Sequence, residues 1–256
     1  MKKIIVGNWK MNPRSSKEAE KLLKNVTKSV SRVKNTDVVV CPPFLYLEKL
    51  KSISRRSRKV VLGAQDLFWE DVGAFTGEIG GEMLYDLGVR YVIVGHSERR
   101  ALGEDANDIN KKVKSALHAG LCPILCVGEN IRDENHNYFN LVKEQVKSCL
   151  DGVSKNSVSK IIVAYEPIWA ISSTQNRKDA TPADCREMAI FIRKVLTDKF
   201  GMEASKIRVI YGGSANEKDA REFLKDGGVD GLLPGRASLD AKKFAEIVKI
   251  CDTSGN

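Results

Sequence analysis

Glu166 stands in the run Ala164-Tyr165-Glu166-Pro167-Ile168-Trp169-Ala170, a single carboxylate among apolar and aromatic residues. Such company suits a general base working near neutral pH; the plainer alternative is an ion-paired acid at a strand end. His96 follows Gly95 and opens Ser97-Glu98-Arg99-Arg100, a sequence that starts a helix. Backbone N–H groups at a helix start disfavour a positive ring, so a neutral imidazole is expected there. A histidine buried or solvated for packing alone is the rival reading, and it is the one adopted for His118 and His136. Lys10, two residues after Asn8, offers a cation that Asn8 could orient, although most lysines are simply solvated. Tyr211-Gly212-Gly213-Ser214 and Leu233-Pro234-Gly235-Arg236 bring glycines to two strand ends. Backbone N–H groups there can cradle a phosphate, or the glycines serve tight turns, or both. One base, one neutral electrophile, one cation and one anion cradle fit proton abstraction next to a carbonyl on a phosphorylated substrate. The sequence has no metal-ligand spacing, Gly-rich dinucleotide turn or paired nucleophile.

These residues need elements to converge them. Apolar, β-branched runs occupy residues 4–7, 37–41, 60–64, 91–95, 121–127, 161–165, 207–211 and 231–233. Most are continuous rather than alternating, as expected of parallel strands covered on both faces. Between them lie helix signals. Ser15 to Glu18 reads as a capping box, Asp105 as a cap, Gly120 as a stop, and Thr181-Pro182 as a cap followed by a first-turn proline. Asn216 and Ser238 are expected to cap two final helices. Eight strands alternating with helices predict an α/β fold, a closed eight-stranded parallel (β/α)8 barrel filling residues 1–256 as one domain. An open doubly wound sheet would usually show glycines after its first strand, where this chain has Asn8-Trp9-Lys10-Met11-Asn12. In such a barrel the reacting groups sit at the C-terminal strand ends, which is where Asn8, Lys10, His96, Glu166, Ser214, Gly235 and Arg236 all fall.

Composition excludes several classes. The 256 residues are 42% hydrophobic and 29% charged, too apolar for a disordered chain. The net charge of +9 comes from basic residues spread along the chain rather than gathered with aromatics, which argues against a nucleic-acid or membrane-surface binder. No run approaches the ~18 apolar residues of a membrane-spanning helix. Six cysteines without a C-x-x-C pair fit reduced thiols and a cytoplasmic location.

The four motifs together resemble the triosephosphate isomerase family from end to end. Val6 to Asn12 is similar to its first strand and loop, Val92 to Arg100 to its histidine motif, Ala164 to Ala170 to its glutamate motif and lid hinge, and Tyr211 to Ser214 to its seventh-strand loop. The resemblance implies interconversion of dihydroxyacetone phosphate and D-glyceraldehyde 3-phosphate in glycolysis and gluconeogenesis, with no cofactor and no metal. It implies Glu166 as the proton carrier, His96 as the neutral electrophile, Lys10 and Asn8 as electrostatic and orienting groups, and Glu98 as partner of the lysine. Phosphate contacts fall on Ser172, Ser214, Gly235 and Arg236. A homodimer would form through the loop from Gln65 to Gly77, with Phe68, Trp69, Phe75 and Thr76 as contacts. The chain departs from the family pattern at three places. The lid reads Ala170-Ile171-Ser172-Ser173-Thr174 where the family has Ala-Ile-Gly-Thr-Gly, it runs about three residues longer before Thr181, and Arg236 replaces the second glycine of the eighth-strand motif. The N–H of Arg236 can still donate, while its guanidinium either adds charge near the phosphate or points to solvent. Another phosphate-binding barrel would explain the glycines but not the glutamate and histidine motifs.

Overall fold

The computed structural model describes residues 1–171 and 178–254. Eight parallel strands pair in sequence order and close on themselves. They are β1 Lys3–Asn8, β2 Thr36–Cys41, β3 Val60–Ala64, β4 Tyr91–Val94, β5 Cys122–Val127, β6 Ile162–Tyr165, β7 Arg208–Tyr211 and β8 Gly231–Leu232. Every boundary falls within one residue of the expected run. Nine α-helices are described: α1 Ser16–Ser29, α2 Phe44–Ser57, α3 Gly81–Leu87, α4 Ser97–Ala101, α5 Ala106–His118, α6 Asn137–Cys149, α7 Pro182–Phe200, α8 Ala220–Lys225 and α9 Ala241–Thr253.

The strands are apolar on both faces because each face meets a different core. Ile4, Val6, Val39, Ile93, Ile124, Cys126, Ile162, Ala164 and Ile210 form one cluster, which alternation along each strand places inside the barrel. Their neighbours Ile5, Val38, Val92, Leu125, Val163 and Val209 join the larger cluster with the helices. The barrel closes where Ile4 and Ile5 pair with Gly231 and Leu232. A Cβ at Gly231 would collide with the carbonyl of Ile4, so only glycine lets the last strand approach the first.

Local signals set most helix starts. Asp105 accepts the N–H groups of Asn107 and Asp108, and Thr181 forms a full capping box with Asp184 ahead of α7. Two expected caps differ. Asp240, not Ser238, caps α9, accepting from Lys242 and Lys243. Ser238 is buried instead, its hydroxyl donating to Gly235 O at 2.6 Å and Asn8 O at 3.2 Å, so it ties the β8 exit to the β1 exit. Asn216 accepts from Lys218 N–H and donates to Asp219, which folds a turn and delays α8 to Ala220.

Below the mouth of the barrel, Lys112 of α5 is buried against Asp66 at 2.7 Å and Glu104 at 2.5 Å. Arg99 of α4 reaches the same two carboxylates at 3.1 and 2.6 Å. Burial pulls Glu104 upward, but hydrogen bonds from Lys112 and Arg99 outweigh it and hold this carboxyl below its usual range. The network fixes the β3 exit against α4 and α5. Among the described residues no helix is long and apolar enough to cross a membrane.

Candidate active site

Asn8 ends β1 and is buried, and its Oδ1 accepts the backbone N–H of Lys10 at 3.0 Å. Lys10 has φ of +52°, a left-handed backbone uncommon for a residue with a side chain. The amide of Gln65 holds that turn, donating from Nε2 to Lys10 O at 2.8 Å and Cys41 O at 2.9 Å. The turn aims the lysine across the mouth, where Nζ pairs with Glu98 Oε1 at 2.5 Å. A Cβ at Gly235 would stand 3.4 Å from Lys10 Cε, at van der Waals contact, so the two strand exits meet closely here.

His96 is the N-cap of α4, and its Nδ1 accepts the N–H of Glu98 at 3.1 Å. An accepting Nδ1 carries no proton, so the ring is the neutral Nε2–H tautomer. That Nε2 faces Glu166 Oε1 at 3.3 Å, in contact but not in hydrogen-bond alignment. Glu166 continues past β6, its N–H bonded to Val127 O at 2.8 Å, and is only 2% exposed. Its Oε2 accepts the N–H of Ser97 at 3.2 Å. A Cβ at Gly212 would approach Glu166 Cγ to 2.8 Å, so glycine leaves the carboxylate room to turn. Beneath it, burial first and then the Glu166 carboxylate push the Cys126 thiol well up, which keeps that sulfur protonated.

Asn8, Lys10, His96, Ser214, Gly235 and Arg236 line one cavity of about 700 Å³, with Ile171 and Thr181 on its rim. Glu166 lies just below, beside His96 and Gly212. Glu98 stands at the edge, half-exposed on the lysine. Arg236 is exposed at the first residue of a short 3₁₀ helix, Arg236–Leu239. Ser172 lies outside the described residues.

The sequence reading assigned no role to Glu129 or Arg132. Glu129 is fully buried at the β5 exit, and one oxygen accepts from Tyr165 OH at 2.7 Å and Trp169 Nε1 at 2.9 Å. Burial, reinforced by Glu129, pushes the Tyr165 phenol up, so it remains a donor. Arg132 reaches Glu129 at 3.4 Å and, at the start of α7, Asp184 at 2.9 Å and Glu187 at 2.7 Å. One arginine therefore joins the residues before and after the segment that follows Ile171. The two ends also meet directly, Lys178 N–H bonding Trp169 O at 3.1 Å. Glu129 and Arg132 lie more than 30 residues before Tyr165 and Trp169, and nothing local in the sequence says that they meet.

The family model described as triosephosphate isomerase matches residues 3–251. The chain belongs to the triosephosphate isomerase family. It is 42% identical over 250 residues to the triosephosphate isomerase of Endomicrobium trichonymphae, covering 97% of this chain and 98% of that one. It is 45% identical over 249 residues to that of Dehalococcoides mccartyi strain ATCC BAA-2266, covering 96% of both. The crystal structure of triosephosphate isomerase from Bartonella henselae superposes with a TM-score of 0.85 at 34% identity, covering 98% and 99% of the two chains. As a member of the triosephosphate isomerase family, the chain is a glycolytic isomerase that interconverts dihydroxyacetone phosphate and D-glyceraldehyde 3-phosphate.

Proposed function

We propose that Glu166 carries the proton between the two substrate carbons. Its carboxylate takes a proton from the carbon next to the carbonyl, the electron pair moves onto the carbonyl oxygen, and an enediolate forms. The same carboxyl then returns the proton to the neighbouring carbon, while the hydroxyl proton on the first oxygen passes to the second through the Nε2 of His96 and the first carbon becomes the carbonyl, so atoms balance without a cofactor. His96 Nε2–H donates to the oxygens where negative charge develops, and Lys10 adds a cation held in place by Glu98. Asn8 orients Lys10. Ser172, Ser214, Gly235 and Arg236 hold the phosphate. The observation that carries this reading is the 3.3 Å approach of Glu166 to the Nε2 of His96, beside the cavity that Lys10 lines. A coupled assay of triose phosphate interconversion tests it, and an inactive, folded protein contradicts it.

Arg236 is given both its N–H and its guanidinium. A charged hydrogen bond contributes about 1.5–3 kcal/mol, and exposure discounts this to about 1 kcal/mol. Arg236→Gly is then expected to raise KM roughly fivefold at low salt and leave kcat little changed. An unchanged KM in steady-state assays leaves the backbone donor alone.

We read the protein as one catalytic domain over residues 1–256, acting in the cytoplasm as a homodimer. Closure of β8 onto β1 supports the first point, and six free thiols support the second. For the third, the Phe68 ring packs at a tilt against Trp69, with centroids 4.1 Å apart, and against Phe75, 4.7 Å apart, within the loop from Gln65 to Gly77. Phe75 is 43% exposed, and Met11 after β1 and Leu45 in the first turn of α2 are more so, apolar surface that a partner would cover. Sedimentation at micromolar concentration should give about twice 28.4 kDa; a fully active monomer excludes the dimer.

A further inference from the structure

Away from the active site, three segments converge on one point. Positions 111, 115 and 118 of α5 share a face, being four and three residues apart. Lys111 places its ammonium over the Trp69 ring at 4.8 Å. A Cβ built on Gly81, the first residue of α3, would lie 2.9 Å from the Cβ of Ala119 and 3.5 Å from Ser115 O. The start of α3 is thus pressed onto the end of α5, which sets Glu82 beside His118. A Cβ on Gly80 would lie 2.6 Å from Asp71 O, so the loop after β3 folds back onto the same spot. Gly80 and Gly81 together bring a carboxylate from the loop, a carboxylate from α3 and an imidazole from α5 into one cluster. Their ligand atoms all lie within 4.8 Å of one another. Asp71 Oδ1 is buried there with no hydrogen-bond partner. A carboxylate oxygen so placed carries a desolvation cost that a cation would offset.

We propose that Asp71, Glu82 and His118 bind one divalent transition-metal ion of the Zn²⁺ type. The imidazole selects against Mg²⁺ and Ca²⁺, which favour oxygen ligands. Two carboxylates neutralise the ion, and a water completes a tetrahedron. In such a tetrahedron donors stand roughly 3.3–3.6 Å apart, from bonds of about 2.0–2.2 Å. The exposed side chains of Glu82 and His118 can turn to close that gap. The site has no part in the isomerisation. It fastens the loop after β3 to α3 and α5 and so acts on stability.

Metal-free protein should be titrated with Co²⁺ and with Zn²⁺. One ion per chain is expected, and the Co²⁺ spectrum should lack thiolate charge-transfer absorption, which separates this site from the cysteines. Zn²⁺ at a hundredfold excess over Kd should raise Tm by about 5 °C, as mass action on a native-state site requires. His118→Ala should weaken binding tenfold or more and abolish the Tm rise, and Glu82→Gln should also weaken it. In chelator, kcat/KM of His118→Ala should equal that of the parent, so failure here leaves the isomerase reading intact. The proposal is overturned by affinity no better than about 1 mM, by a thiolate spectrum, by an absent Tm rise, or by unchanged affinity in His118→Ala.

Discussion

Glu166→Gln should fold as the parent does and lose about 10²- to 10⁴-fold in kcat, the range for removing a general base. The amide keeps the length and shape of the carboxylate and retains an oxygen to accept the Ser97 N–H, so the 3.2 Å anchor survives. It cannot take a proton at the working pH. Among the described residues, Cys126 below it is no substitute: burial, the larger cause of its raised value, keeps the thiol protonated without the Glu166 carboxylate. Circular dichroism and sedimentation should match the parent while turnover collapses. Turnover within a few-fold of the parent would remove Glu166 from the base role.

Lys10→Met is the second large loss, expected at about 10²- to 10³-fold in kcat/KM, the cost of removing one preorganised group facing developing charge. Methionine keeps the length and loses the cation. Stability should change by no more than about 0.5 kcal/mol, as is usual at partly exposed positions. The left-handed turn at Lys10 is held by Gln65 and Asn8 through backbone groups, not by the ammonium. Glu98, left without its partner, is half-exposed and can be solvated. Parallel kinetics and thermal unfolding separate the two effects. A large drop in Tm with kcat/KM preserved in the folded fraction would make the lysine a structural residue.

The sequence made the barrel legible because its strands are buried on both faces, which writes each one as a continuous apolar run. Capping made several helices legible too, since Asp105 and Thr181 act on residues two and three places away. The convergence of Asn8, Lys10, His96, Glu166, Ser214, Gly235 and Arg236 was legible for a related reason: each lies at a strand end or within four residues of one, and the barrel brings strand ends together. What stayed hidden depends on contacts between distant segments. Ser238 looks like a cap by its local spacing, yet the closing of β8 onto β1 buries it against Asn8. Arg132 reads as a surface arginine until α7 brings Asp184 and Glu187 to it. The same holds for Lys112, whose partners lie 46 and eight residues away. Asp71, Glu82 and His118 have no motif spacing at all and meet only because two glycines allow three backbones to touch.

The central claim is that a proton, carried by Glu166, moves between adjacent carbons. Isomerisation in deuterium oxide tests it most directly. A proton held on a carboxyl can exchange with solvent before it is returned, whereas a hydride passed from carbon to carbon cannot. Mass spectrometry of the triose phosphate product should find deuterium at the carbon that receives the proton, at one position only. Product free of deuterium at that carbon, formed at the full catalytic rate, would contradict the account.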